Sequence, residues 1–301
     1  MNPEAAMNPI PEAIRHRRKA AYQEPMPHRQ VRCLLCPHQC VLSPGQVSRC
    51  LSRENHDGTL TVRNYGMVTS LALDPIEKKP LARFHPGRQI LSVGTFGCNF
   101  SCQFCQNWQI SQQEVPGRFI PPVELLRLAK ETVADGNIGV AFTYNEPTIW
   151  YEYVRDCAML LHEAGLVPVL VTNGFINLAP LLALLPHVDA MNVDIKAFRP
   201  EFYQKLCGGR LEPVLETVKH AHAHCHVEIT TLVIPGLNDD ESEIDALAAW
   251  LANLSPHIPL HLSRHHPDWH MTEPAPIGIP RLKKLAEIAH RHLDTVILGN
   301  V

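Results

Sequence analysis

Residues 90–108 read ILSVGTFGCNFSCQFCQNW. The stretch opens on an apolar run, Ile90, Leu91 and Val93, with the pattern of a buried strand. Gly94 and Gly97 break the run, and Cys98, Cys102 and Cys105 follow as a C-x3-C-x2-C triplet. Three thiolates on one tight loop converge on one small object. A cube of four irons and four sulfides has four iron corners, usually all held by Cys. A closed zinc site also takes four protein ligands. Three local ligands leave one corner of a [4Fe-4S] cluster open, and an open iron can hold a chelating small molecule. The plainer readings are three structural cysteines, or a zinc loop borrowing a distant fourth ligand. The strand before the loop and the alternating chain after it favour the cluster.

From residue 90 onward strand and helix patterns alternate. Strands are expected near 90–94, 139–144, 168–172, 190–195, 226–234, 259–263 and 295–299. Between them apolar residues recur at three- and four-residue spacing over 123–133, 149–163, 213–222, 242–254 and 280–293. Alternating βα units argue a parallel sheet with helical crossovers. The expected fold is therefore α/β, a partial or near-complete (β/α) parallel barrel, with a small N-terminal Cys-rich appendage. The division expected is an arm over 1–30, a Cys-rich knuckle and hairpin over 31–87, and the barrel over 88–301. Within the first two parts, 1–11 reads as a loose arm, 12–22 as a short helix, and 60–73 as a hairpin or two short strands.

In such barrels the chemistry sits at the C-terminal ends of the strands. The second expected strand ends in Tyr144-Asn145-Glu146-Pro147, where a carboxylate can receive an ammonium group. A helix start, with Asn145 as cap and Pro147 at the first position, is the bland alternative. The fourth ends in Asp194-Ile195-Lys196. Charges at a buried strand end are costly unless they pair or bind something. Residues 74–80, DPIEKKP, are either a solvated loop or a pair of lysines at the mouth of the site.

A second group, Cys33, Cys36, Cys40 and Cys50, has the spacing C-x2-C-x3-C-x9-C. Four thiolates within so short a stretch can close a zinc site or hold an auxiliary iron–sulfur cluster. Pro37, Pro44 and Gly45 supply turns, and His38 is a substitute ligand. Spacing does not separate iron from zinc. The run 219–226, KHAHAHCH, resembles a metal tract, but surface histidines account for it better. Cys157, Cys207 and Cys225 read as buried residues or bystanders.

The chain of 301 residues carries ten Cys and a net charge of −3. It has no long basic run beyond the cluster at 15–19, so no nucleic-acid footprint is expected. No run approaches the length of a membrane span. The first thirty residues lack an apolar signal core, and seven of the ten Cys fall in the two tight groups. A reducing, cytoplasmic compartment is the expectation.

The triplet with this context resembles the radical S-adenosylmethionine (SAM) superfamily. Within it, the chain resembles the radical SAM enzymes of the AmmeMemoRadiSam system, in the branch related to pyruvate formate-lyase activating enzymes. The resemblance rests on RCLLCPH at 32–38, LDPIEKKPL at 73–81, GTFGCN at 94–99, SRHHP at 263–267 and GNV at 299–301. It implies that Cys98, Cys102 and Cys105 hold a [4Fe-4S] cluster whose open iron is chelated by the methionine end of SAM. Reductive cleavage of SAM then gives a 5′-deoxyadenosyl radical for hydrogen abstraction from a substrate that the residues do not identify. It places Phe104 against the adenine, Asn107 on SAM, Asn145 and Glu146 where the superfamily has Gly-Gly-Glu at the SAM amine, Asp194 and Lys196 at the SAM carboxylate, and His265 near the ribose. Thr172-Asn173-Gly174 matches an activase string, but Val171 stands where activases have a cation-binding Asp. The resemblance further implies an electron donor such as flavodoxin or ferredoxin, and functional companions of AMMECR and Memo type. A glycyl-radical activase acting on a protein, and a non-catalytic zinc or iron–sulfur module, are the alternatives.

Overall fold

Residues 18–301 are described by the computed structural model of the chain. The main sheet has eight strands: β1 (Ser70–Pro75), β2 (Gln89–Gly94), β3 (Asn137–Phe142), β4 (Val167–Thr172), β5 (Ala190–Asp194), β6 (His226–Val233), β7 (Leu260–Arg264) and β8 (Val296–Gly299). Their order in the sheet is their order in the chain. β2 to β8 run parallel, and β1 lies antiparallel to β2. Parallel neighbours need a crossover, and each crossover here carries a helix. These are α1 (Pro122–Glu131), α2 (Tyr151–Glu163), α3 (Leu178–Leu184), α4 (Glu212–His222), α5 (Glu241–Leu254) and α6 (Ile279–Ala289). Among the described residues β8 does not pair back to β1, so the (β/α) barrel is partial and open along that seam.

Each strand alternates between two cores, as the period of two requires. Leu91, Val93, Val140, Phe142, Leu170 and Met191 pack with the helices. α2 meets them with Tyr151, Tyr153, Val154 and Leu161, each fully buried and contributing about 1.5–3 kcal/mol. Ile90, Ala141, Val169 and Ala190, of opposite parity, form a separate inner cluster.

Ile76 and Leu81 complete that inner cluster. They lie in the segment between β1 and β2, which enters the barrel and closes it below the strand ends. Asn192 Nδ2 donates to the Pro80 carbonyl at 2.8 Å. The Glu228 carboxylate accepts from the backbone of Ala82 at 3.0 Å and Arg83 at 2.7 Å. His226 and His261 hold its other side at 2.9 and 2.6 Å. Burial alone would raise the Glu228 pKa, yet these hydrogen bonds pull it down to about 2.

The expected strands all form, within two residues at their ends. The 60–73 stretch is not a hairpin: Thr59–Val62 pairs with Arg53–His56, while β1 joins the main sheet. Residues 1–17 lie outside the described residues, and with them the expected arm and most of the 12–22 helix. From 18 on that helix is absent, because Lys19 bridges Thr61 and the Ala20 N–H donates to the Leu60 carbonyl at 2.8 Å. Arg18, in the basic cluster at 15–19, pairs with Asp156 and lies over the Tyr65 ring. α3 and the turn at Pro200–Phe202, which continues as a π-helical turn over Tyr203–Cys207, were not expected; both are too short for a clear period.

The end of the expected arm joins the Cys-rich part in a three-stranded antiparallel sheet, Gln23–Pro25, Val31–Cys33 and Val41–Leu42. It packs onto the barrel through a buried ion pair, Arg53 to Glu152 at 2.9 Å, with 0% and 3% side-chain exposure. Asn177, ahead of α3, binds the carbonyls of Leu34 and Leu35.

Candidate active site

The loop after β2 turns back at Gly97, whose φ is +89°. A Cβ there would overlap the Cys50 carbonyl, so only glycine admits this approach of the knuckle. The Gly97 N–H donates to the Ile110 carbonyl at 2.8 Å, tying the loop to the one-turn helix Trp108–Ser111. Cys98, Cys102 and Cys105 all line one cavity of about 400 Å³ at the C-terminal ends of the strands. Their thiols are near enough for the charge of each to act on the others. Burial raises the Cys98 and Cys105 pKa, with Glu146 adding to the first and a hydrogen bond from Ser111 opposing the second. Cys102 moves the other way: a hydrogen bond from Cys207 lowers it, burial opposes this, and Lys196 adds to the lowering. Cys207 is thus a neighbour of the triplet rather than a bystander, brought there by the π-helical turn and the 2.8 Å bond from the Ser101 N–H to its carbonyl.

The strand ends supply the rest of the wall. Glu146, after β3, is 1% exposed. Its carboxylate accepts from Thr172 Oγ1 at 2.6 Å, the Asn173 N–H at 2.7 Å and the Thr148 N–H at 2.9 Å. Burial raises its pKa against these three hydrogen bonds. Asn145 Nδ2 donates to the Gly97 carbonyl at 2.7 Å, so it positions the loop instead of capping the helix. After β5, Lys196 Nζ donates to Asp194 Oδ2 at 2.6 Å. Burial would lower the Lys196 pKa, but Asp194 and Cys102 outweigh it and raise it. Phe104 is buried with its ring 5.7 Å from Phe202, and Asn107 Nδ2 donates to the Tyr144 carbonyl at 2.6 Å. All six residues line the cavity.

His265 stands apart. Its ring is 1% exposed with neither nitrogen hydrogen-bonded, and it is not in the cavity wall. Lys78 and Lys79 do reach the cavity. Lys79 donates to Asp74 at 2.8 Å and lies 4.7 Å from the Tyr144 ring centre, while the Tyr144 hydroxyl donates to Asp74 at 3.1 Å. Tyr144 has φ +71°, a costly conformation for a non-glycine residue at a site wall. Asn173 also lines the cavity. The Thr-Asn-Gly string was visible in the sequence, but its Asn had no partner that spacing reveals.

The four knuckle thiols also act on one another's charge. Cys50 Sγ lies 3.2 Å from Ser48 Oγ and 3.1 Å from Ser52 Oγ. His38 is engaged elsewhere: its Nε2 donates to the Asn99 carbonyl at 2.8 Å. The histidine run at 219–226 is split between α4 and β6, with His226 turned to Glu228. Among the described residues no three His, Cys, Asp or Glu side chains stand ready to hold a single metal ion. A cube of irons is larger than an ion, and its thiolates stand further apart. The triplet fits such a group in donor chemistry, with three sulfurs on one wall, cavity space before them, and the Lys196 ammonium close to Cys102.

Known proteins bear on this site. The family model described as the Radical SAM superfamily matches residues 92–248. Uncharacterized protein MJ0808 of Methanocaldococcus jannaschii is 41% identical over 290 residues, covering 94% of this chain and 85% of that protein. The benzylsuccinate synthase activating enzyme of Thauera aromatica is 27% identical over 196 residues, 63% of this chain and 59% of that enzyme. Pyruvate formate-lyase 1-activating enzyme of Escherichia coli (strain K12) is 27% identical over 180 residues, 56% and 71%. The structure of Streptococcus suis SuiB bound to S-adenosylmethionine superposes with a TM-score of 0.55 at 14% identity, over 70% of this chain and 51% of that one, and so shares the fold. A family match across half of the residues, starting in the strand that leads into the three cavity-lining cysteines, has one meaning: the chain belongs to the Radical SAM superfamily.

Proposed function

We propose that the protein cleaves SAM reductively and uses the resulting 5′-deoxyadenosyl radical to abstract hydrogen from a substrate. The observation that carries this reading is the single cavity shared by Cys98, Cys102, Cys105, Glu146, Asp194 and Lys196. Cys98, Cys102 and Cys105 would hold a [4Fe-4S] cluster, which when bound and reduced would supply the electron for the cleavage. Glu146 presents a buried carboxylate suited to the amine of SAM, and Lys196, oriented by Asp194, an ammonium suited to its carboxylate. Phe104 offers an apolar face for the adenine, and Asn107 and Asn145 tie the cysteine loop to the turn that follows β3. Flavodoxin or ferredoxin is the class of electron donor such a site takes. The strings at 32–38, 73–81 and 263–267 support membership of the AmmeMemoRadiSam group.

The knuckle is proposed as a second metal centre, an iron–sulfur cluster rather than zinc, since among the described residues no three His, Cys, Asp or Glu side chains are arranged for a single ion. Arg53 supports this. Its guanidinium is fully buried, its nitrogens lack hydrogen-bond partners beyond the Glu152 ion pair, and it lies within electrostatic reach of Cys33 and Cys50. Bound thiolates would give it anionic neighbours.

The test is anaerobic reconstitution with iron and sulfide, then SAM and dithionite, with 5′-deoxyadenosine measured. Product from the wild type and none from a Cys98→Ala/Cys102→Ala/Cys105→Ala variant is expected. No product and no SAM binding by iron-loaded protein would overturn the reading. The 27% identical activating enzymes favour a protein glycine loop as the second reading of the substrate. A glycyl radical signal on a partner protein, detected by electron paramagnetic resonance (EPR), would decide for it.

A further inference from the structure

Asn173, in the turn after β4, makes four contacts through three of its atoms. Its Nδ2 lies 3.7 Å from Cys98 Sγ and donates to Asn99 Oδ1 at 2.8 Å. Its backbone N–H donates to Glu146 Oε2 at 2.7 Å. Its Oδ1 accepts from the Phe175 N–H at 2.9 Å, which fixes the amide's orientation, with Nδ2 toward the sulfur. Asn99, next to Cys98, is fully buried and is held from the opposite side. Its Nδ2 donates to the Phe175 carbonyl at 2.8 Å, and its own carbonyl accepts from His38 Nε2 in the knuckle at 2.8 Å. The His38 ring packs 5.0 Å from the Phe175 ring. A continuous chain of hydrogen bonds thus runs from the knuckle, through Asn99 and Asn173, to Glu146, and touches a cluster sulfur on the way.

We propose that Asn173 is a positioning residue that links Glu146 to the cluster, donating to the Cys98 sulfur from a turn whose place is set by Glu146 on one side and by His38, through Asn99, on the other. The inference rests on the proposed assignment of Cys98 and Glu146. An N–H donor on a cluster thiolate favours the reduced, more negative state and raises the reduction potential. A ligand drawn to Glu146 pulls on the same turn, so SAM binding alters this hydrogen bond without touching Asn173.

The experiment is an EPR-monitored potential titration of anaerobically reconstituted full-length protein, with and without SAM, with iron and sulfide counted. Asn173→Asp keeps the acceptor for Phe175 and removes the Nδ2 donor. His38→Leu removes the bond to Asn99 without adding charge, and His38→Gln restores a donor. Asn173→Asp should shift the potential negative and shrink the change that SAM causes. His38→Leu should shift it in the same direction by less, and His38→Gln should return it toward wild type. Fully loaded variants with wild-type potentials and EPR line shapes would overturn the proposal. So would loss of the cluster from Asn173→Asp together with a His38→Leu protein indistinguishable from wild type, since Asn173 would then serve folding alone. Wild-type protein that takes up no iron at the triplet would overturn the functional reading itself, and is told apart by the iron count.

Discussion

The protein holds two groups of clustered cysteines, and their surroundings differ more than their spacings. The triplet faces a cavity, with Lys196, Asp194 and Glu146 on the same wall. The knuckle thiols are packed between short strands, beside serine hydroxyls and a buried Arg53–Glu152 pair. One group has room for a ligand that comes and goes; the other is built into the contact between knuckle and barrel. Two buried carboxylates repeat the contrast. Glu146 keeps a raised pKa beside the cavity, whereas Glu228, enclosed by two histidines and two backbone N–H groups, is drawn down to about 2.

The largest effect should come from the triplet. Replacing its three cysteines with alanine should abolish 5′-deoxyadenosine formation, at least ~10³-fold, while a thermal melt monitored by circular dichroism stays near wild type. Loss of folding instead would make the two cysteine groups alike. Next is Arg53→Met. Removing one partner of a buried ion pair costs about 3–5 kcal/mol, because Glu152 is left buried and charged with no countercharge, only the Ala21 N–H. Urea unfolding should show this loss, and adding Glu152→Gln should recover part of it. Lys196→Met should lower SAM cleavage by about 10²-fold with stability little changed, as loss of one charged donor in a closed site does. Equal loss of stability would recast Asp194–Lys196 as a structural salt bridge.

The smallest effect concerns the two carboxylates. The Glu228 pKa is depressed on folding, so its contribution is complete above the ordinary carboxylate value of 4.5 and is lost as pH falls toward about 2. Glu228→Gln should cost about 1–3 kcal/mol at pH 7 and flatten the acid limb of a stability–pH curve. Glu146 has the opposite sign. Its folded pKa is raised, so its charge opposes folding above pH 4.5 and its protonation favours the fold as pH falls; Glu146→Gln removes that compensation and should slightly steepen the acid limb. Unfolding midpoints between pH 2 and 7 check both.

Much of the barrel was legible because its signals are local. The strand and helix periods, and a Cys triplet after a strand, lie within short windows, and the strands formed where those patterns ran. Glu146, Asp194 and Lys196 were found because strand ends in this architecture converge on one face. The same reasoning placed His265 at a strand end but not its ring, since a rotamer decides whether a buried side chain meets a cavity. The stretch at 60–73 formed short strands, one of its two readings, but not the hairpin, because weak alternation states that strands exist but not which sheet takes them.

What the sequence by itself determined was the order of βα units and the chemistry offered at their ends, because backbone period and residue type are properties of neighbouring residues. Only the tertiary structure decided that the segment with Ile76 and Leu81 closes the barrel from within, that Cys207 lies against Cys102, and that Asn173 reaches the sulfur of Cys98, seventy-five positions away. Those contacts depend on how far the sheet curls and where each turn is fastened, and close packing settles that over the whole chain at once.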